Sequence, residues 1–537
     1  MAFRPHGTWL EFRHQRYGAC WLDPEITRYS PLSDVAACRS FTIVTKSNDN
    51  RDCSASKPSR AVASGLIWTS LCTLFAKVAS FGAQIILGWI FAEEDFALYA
   101  LAIGVSGIAG VLRDGGVGRI LMQEGQHYET RARPLLKVAR SLSLFSAILI
   151  LLIAPFASTF YEAAELTHML WVIALSIILA PPVSVYRAKL SINSKYRLHA
   201  QLTLTTAIIR HGSTILLACL GVGPMSFVYP ILIATAMDWG LLRLVMGPIP
   251  NHGDSTLEVL QKTWKNTLWI SLAALAGIVT VHGDYLVVGA LVSKVVLGVY
   301  FFSYQLAASV HEMFVAGFRS VLMPSLSSVS NENGIQSRAY LKAVRLMMLL
   351  ASPICVVGAL MTPWLVEICW SGKWESATQA IQILLVAVAM RLLMPLGIAG
   401  LEAQGRWRLA ALLMWLDAVG VVLAASIGAY FGTTLAIALA ISSNQLLMGL
   451  TTCVSVTWKT PRSTHRILAK AMSPFLMAVL LGCIVEYIRS NSLGTDKEFK
   501  GAALSTLLFA VLFASAAWLW FKETSKELLR TLGASRR

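Results

Sequence analysis

From Ala61 onward the chain alternates long apolar runs with short polar breaks. About fourteen of these runs are long enough to cross roughly 30 Å of hydrocarbon as helices. They cover 61–91, 96–121, 135–160, 165–185, 199–221, 224–246 and 264–292, then 298–324, 341–369, 377–401, 408–431, 433–457, 466–488 and 501–521. No run alternates apolar and polar positions as a strand would. Backbone N–H and C=O groups surrounded by lipid must be satisfied within their own segment, so the pattern predicts an all-α, polytopic membrane protein.

The first hairpin of this pattern, Trp68 to Met122, recurs without a gap 201 positions later. Trp68 falls on Trp269, Ser70 on Ser271, Gly82 on Gly283, Gly88 on Gly289, Tyr99 on Tyr300, Gly116 on Gly317, and Leu121-Met122 on Leu322-Met323. Six runs separate the start of one copy from the start of the next, so the copies cross the membrane in the same direction, related by an axis along its normal. The expected architecture is two parallel-repeat six-helix lobes, 61–246 and 264–457, joined by a cytoplasmic linker at 247–263. Residues 458–537 add two helices and a basic C-terminal tail. Residues 1–60 carry nine Lys and Arg and no apolar core of signal-peptide length, which fits a disordered cytoplasmic tail or a misassigned start.

Composition agrees with the pattern: of 537 residues, 56% are hydrophobic and 14% charged, and the mean hydropathy is +0.62. These values exclude an ordinary soluble domain. The formal net charge of +16 would suit nucleic acid, but the cations sit in alternate breaks and so report topology, with no nucleic-acid partner implied. One set of breaks holds Arg131, Arg133, Arg187, Lys189, Lys195, Arg197, Lys262, Lys265, Arg338, Lys342, Arg406, Arg408, Lys459 and Arg462. The other set is short or acidic, as at Glu93-Glu94-Asp95, although Arg489, Lys497 and Lys500 dissent. Both termini are therefore expected in the cytoplasm. The cysteines show no metal-ligand spacing and read as small hydrophobes.

No Walker-type loop or His-Glu-x-x-His motif occurs, and no polar break is large enough for an active site, so a pump and an enzyme are both disfavoured. What remains is ionisable residues inside apolar runs, which are costly and mark pathways or relays by default. They are Lys77, Arg113, Asp114, Arg210, His211, Asp238, Asp284, Arg319, Arg391 and Asp417. Cations outnumber acids here, which suits an anionic head group. The competing reading is a structural ion pair, equally weighted for Arg113, Asp114 and Asp238. His211 and His282 read as interface histidines, and Trp364, Trp370 and Trp374 as anchors at the membrane surface.

The chain from about Gly65 to Thr457 resembles the Wzx-type polysaccharide flippases of the multidrug/oligosaccharidyl-lipid/polysaccharide exporter superfamily. The resemblance rests on Phe91-Ala-Glu-Glu-Asp-Phe96, Asp114-Gly-Gly-Val-Gly118, Asp284-Tyr-Leu-Val-Val-Gly289, Leu297-Gly-Val-Tyr300, Pro324-Ser-Leu, Gly372-Lys-Trp374 and Ala403-Gln-Gly-Arg406. In the first of these, Glu93 and Ala97 replace the family's usual Pro and Gly. The resemblance implies transfer of a polyprenyl-pyrophosphate-linked oligosaccharide across the bacterial inner membrane by alternating access, driven by a cation gradient. No cofactor is implied; the polysaccharide polymerase and export machinery are implied partners. Lys77, Arg113, Arg391 and Arg319 would contact the head group, and Asp284, Asp114 and Asp417 would couple or gate. Two rivals remain: a cation-coupled drug exporter of the same fold, which would favour an acidic lumen, and an oligosaccharide polymerase or ligase, which would need a large outer loop.

Overall fold

The computed structural model describes residues 60–113, 115–250, 256–327, 333–458, 463–492 and 499–520. Asp114 and the amino-terminal segment to residue 59 therefore lie outside the described residues, as does the side chain of Arg319. Among the described residues there are seventeen α-helices and no strand. An amino-terminal bundle contains α1 (Arg60–Ile90), α2 (Glu93–Ala109), α3 (Val117–Gln123), α4 (Tyr128–Phe160), α5 (Ala164–Leu179), α6 (Pro181–Ile192), α7 (Tyr196–Cys219) and α8 (Tyr229–Met246). A second bundle contains α9 (Thr256–Leu291), α10 (Lys294–Ser327), α11 (Asn333–Trp370), α12 (Thr378–Arg391), α13 (Leu393–Ala403), α14 (Trp407–Tyr430) and α15 (Thr434–Thr457). Helices α16 (Ser463–Ser492) and α17 (Phe499–Trp520) pack on α11.

Twelve helices are long and apolar enough to span a membrane, or thirteen if α5 and α6, bent by 44° at Ala180, count as one. The expected total of about fourteen is thus not reached among the described residues. Large apolar side chains such as Phe156, Leu244 and Leu447 stand exposed on the outside of the bundles. In a soluble protein such surface would be unfavourable; in a bilayer it faces hydrocarbon.

Several expected single runs are broken, each for a local reason. The run 96–121 stops at a bend at Arg113, where Gly115 and Gly116 adopt φ of 55° and 71°, a left-handed conformation that side chains with a Cβ adopt poorly. Pro181-Pro182 starts α6 with fixed φ angles and no N–H to continue α5. Leu392 separates α12 from α13, so Arg391 ends one helix beside the break. Helix α9 begins at Thr256, inside the segment expected as a linker.

The two ends of the molecule differ in charge. The end holding the α1–α2 turn carries Glu93, Glu94, Asp95, Glu162, Glu165, Glu367 and Glu375, and is called the acidic end below. The opposite, basic end carries Arg131, Arg133, Arg187, Lys189, Arg406 and Arg408. The bundles touch mainly through α1, α2 and α4 on one side and α9 and α10 on the other.

Candidate functional site

The repeated hairpins face each other across the bundle interface, and glycines let them approach. A Cβ on Gly289 would lie 2.6 Å from Leu101 Cδ2, and one on Gly88 would lie 2.5 Å from Trp370 Nε1. A Cβ on Gly298 would collide with the Glu93 carbonyl. At the acidic end this contact becomes a seal. Carbonyls near the end of a helix lack the full set of intrahelical partners, and at the end of α1 the second bundle supplies donors in trans. Trp370 Nε1 donates to the Ile85 carbonyl at 3.0 Å and Trp374 Nε1 to Gly88 at 2.9 Å, while Lys373 Nζ reaches Trp89 at 3.1 Å and Phe91 at 2.8 Å. An ammonium at a helix C-terminus also opposes the negative end of the helix dipole.

Trp374 is fully buried, stacked on Phe302 with centroids 3.9 Å apart, and Trp370 is 7% exposed. The expectation that these two indoles anchor the membrane surface is corrected: they close the bundle interface. Two further bonds extend the seal, Lys294 Nζ to Glu162 O at 2.6 Å and Tyr161 Oη to Leu286 O at 3.2 Å. Burial pushes the Tyr161 phenol above its ordinary value, so it remains a neutral donor.

Behind the seal the second bundle encloses a cavity of about 490 Å³. Its polar lining includes Thr280, Asp284, His311, Arg391 and Asp417, with Arg119 from α3 and Glu402 from α13 toward the basic end. Asp284 is 1% exposed and accepts two bonds, from Tyr300 Oη at 2.6 Å and from the Tyr285 N–H at 3.0 Å. Asp417 accepts from Asn444 Nδ2 at 3.2 Å. The Arg391 guanidinium lies 5.0 Å over the Tyr304 ring, within electrostatic reach of both carboxylates. An arginine is well suited here, because its planar cation can stack on a ring and keep its N–H edges free. Among the described residues, His311 Nε2 is buried without a hydrogen-bond partner.

Of the residues singled out from the sequence, Asp284, Asp417 and Arg391 come together in this cavity. Lys77 lies elsewhere, at the bundle interface, where it forms an ion pair with Glu312 of α10. His211 of α7 is within electrostatic reach of it, and the adjacent Arg210 places its Nη2 3.4 Å from Tyr99 Oη. Arg113 is exposed at the bend before α3 and does not line the cavity. Asp238 is structural: it is 4% exposed and receives Arg187 Nη2 at 2.8 Å and Nε at 3.2 Å inside the first bundle. His282 packs at the α2–α9 interface, where a Cβ on Gly107 would lie 3.3 Å from its ring.

Sequence reasoning missed Glu312, Arg119 and Tyr300. The signal for Glu312 was present, since it is a lone acid near the centre of the run 298–324. Tyr300 was visible as a member of the repeat and of the motif Leu297-Gly-Val-Tyr300, but not as a partner of Asp284.

Two helical bundles, the second enclosing a polar cavity, with many large apolar side chains exposed on the outside, define a multi-pass membrane transporter fold. The same fold is found in a lipid II flippase, MurJ, in an inward closed conformation, with a TM-score of 0.68 at 13% identity over 85% of this chain and 99% of that one. It is found again in an inward-facing multidrug resistance MATE transporter of the MOP superfamily, with a TM-score of 0.53 at 13% identity over 75% and 98%. These neighbours are a flippase and a transporter, not enzymes. In sequence, residues 86–379, more than half of the chain, match the family described as polysaccharide biosynthesis protein, and the chain belongs to that family. It is also similar to the teichuronic acid biosynthesis protein TuaB of Bacillus subtilis (strain 168), with 21% identity over 371 residues, 65% of this chain and 73% of that one.

Proposed function

We propose that the protein moves a polyprenyl-pyrophosphate-linked oligosaccharide from the cytoplasmic to the outer face of a bacterial inner membrane, for polysaccharide assembly. The observation that carries this reading is Arg391 beside a polar cavity in mid-membrane, in a chain of the polysaccharide biosynthesis family with a flippase fold. A greasy tail can stay in hydrocarbon, whereas sugar and diphosphate need a polar space with cations. In a low dielectric each such pairing is stronger than in water.

Positive charge concentrates on cytoplasmic loops, which puts the basic end and both termini in the cytoplasm and the acidic end outside. The sealed acidic end then belongs to a state closed to the outside. Arg391 and Lys77 hold the diphosphate, with Arg119 at the approach from the basic end. Asp284 and Asp417 are the coupling residues. With both ionised beside one guanidinium they leave one negative charge, which one monovalent cation or one proton balances. Rocking of one bundle against the other breaks the Trp370, Lys373 and Trp374 bonds and opens the acidic end.

The test is Arg391→Gln, which removes the charge and leaves a shorter polar side chain. Export of polysaccharide in cells is expected to fall at least about tenfold, the size of one lost charged contact, with the amount of protein in the membrane unchanged. Undiminished export removes Arg391 from the mechanism.

A further inference from the structure

Lys77 is near the middle of α1 and Glu312 near the middle of α10, so neither reaches the membrane surface easily. Their ion pair joins the two bundles, whereas Arg187–Asp238 and Arg131–Glu124 each stay within the first. Both partners remain partly open, with 34% of the Lys77 side chain and 51% of the Glu312 side chain exposed. An ion pair that is accessible can be exchanged for another anion without first unpacking a core. The surroundings favour such an exchange, because His211 of α7 lies within electrostatic reach of Lys77 and Arg210 is its neighbour on the same helix. Once Glu312 is withdrawn, this patch of the first bundle is cationic.

We propose that Glu312 is an internal competitor for Lys77 and sets the charge a lipid head group must carry to be accepted. A monoanionic lipid offers Lys77 no more charge than the carboxylate already there, and so gains little by displacing it. A diphosphate offers more charge and several acceptor oxygens, so it can take Lys77 and still interact with Arg210. Displacement also removes a bond between α1 and α10, so the same event that admits the substrate loosens the bundles. This inference rests on the head-group reading above and adds to it the selection of a diphosphate over a monoanionic head group.

The experiment measures binding of polyprenyl pyrophosphate and of phosphatidylglycerol, a monoanionic phosphodiester lipid, to the purified full-length protein in detergent. Wild type is expected to prefer the diphosphate. Glu312→Gln is expected to tighten both lipids, and the monoanionic one more, by about tenfold, so that the preference shrinks. Lys77→Gln is expected to weaken diphosphate binding, and in the double variant Glu312→Gln should bring no gain. Glu312→Asp, which keeps the charge, should retain the wild-type preference and shows that any change comes from charge and not from misfolding. If Lys77→Gln weakens diphosphate binding but Glu312→Gln leaves it unchanged or weaker, the competitor role is overturned while the head-group reading stands. If Lys77→Gln changes nothing, Lys77 is not a head-group contact and both fall.

Discussion

The two copies of the hairpin share a backbone plan but not a charge. Lys77 in the first copy corresponds to Ile278 in the second, and Asp284 in the second to Ala83 in the first. The repeated tyrosine shows the difference most clearly. Tyr99 Oη accepts from Arg210 at 3.4 Å, whereas Tyr300 Oη donates to Asp284 at 2.6 Å. A phenol can do either, so one repeated position in the fold serves a cationic neighbourhood in one bundle and an acidic one in the other. The repeat supplies two similar walls, and the charges specialise them: the first bundle holds Lys77 and Arg210 near the interface, and the second keeps its carboxylates in a cavity beside Arg391. This division is what the proposed anionic substrate and coupling cation would require.

The sharpest way to break the comparison is to make the copies alike. Gly298 in the second copy corresponds to Ala97 in the first, where the alanine is buried without conflict. Gly298→Ala would bring its Cβ into the Glu93 backbone, so the protein is expected to lose about 3 kcal/mol in the sealed state, the upper part of the usual range for overpacking. Thermal unfolding in detergent measures this. Gly82→Ala, with no atom within 4 Å of the added Cβ, should be neutral or stabilising by up to about 1 kcal/mol. Equal effects at the two sites would mean that the hairpins do not meet as described.

The tyrosines sharpen the comparison at smaller amplitude. Tyr300→Phe leaves a buried carboxylate short of a donor and should cost about 2 kcal/mol, whereas Tyr99→Phe should cost about 0.5 kcal/mol, because its bond is long and its arginine is exposed. The same unfolding measurement tests both. A reversed order would contradict the assignment of the acidic site to the second copy.

How legible this was in the sequence depended on the kind of feature. Helices were legible because a bilayer leaves the backbone little choice, and the repeat was legible because glycines at close approaches tolerate little else. Breaks such as the one at Leu392 were not, because no proline or glycine marks the residue itself. Trp370 and Trp374 were misread because an indole suits a membrane surface and a helix-capping seal equally well, and only their burial separates the two. Of the charges, Asp284, Asp417 and Arg391 stood out as ionisable residues inside apolar runs, but their convergence depends on the crossing of α9, α12 and α14, which spacing within one helix cannot reveal. Glu312 needed its partner across the bundle interface to stand out.

The central claim is that the polar space between these unlike halves carries a lipid diphosphate across the membrane. Its most direct measurement is transfer of a fluorescent polyprenyl-pyrophosphate-linked oligosaccharide between leaflets of vesicles holding the purified protein. The account predicts transfer that depends on the protein and is lost when Lys77 and Arg391 are both changed to glutamine. Protein-dependent transfer that is unaffected by the double change, or no transfer by the wild-type protein, would contradict it.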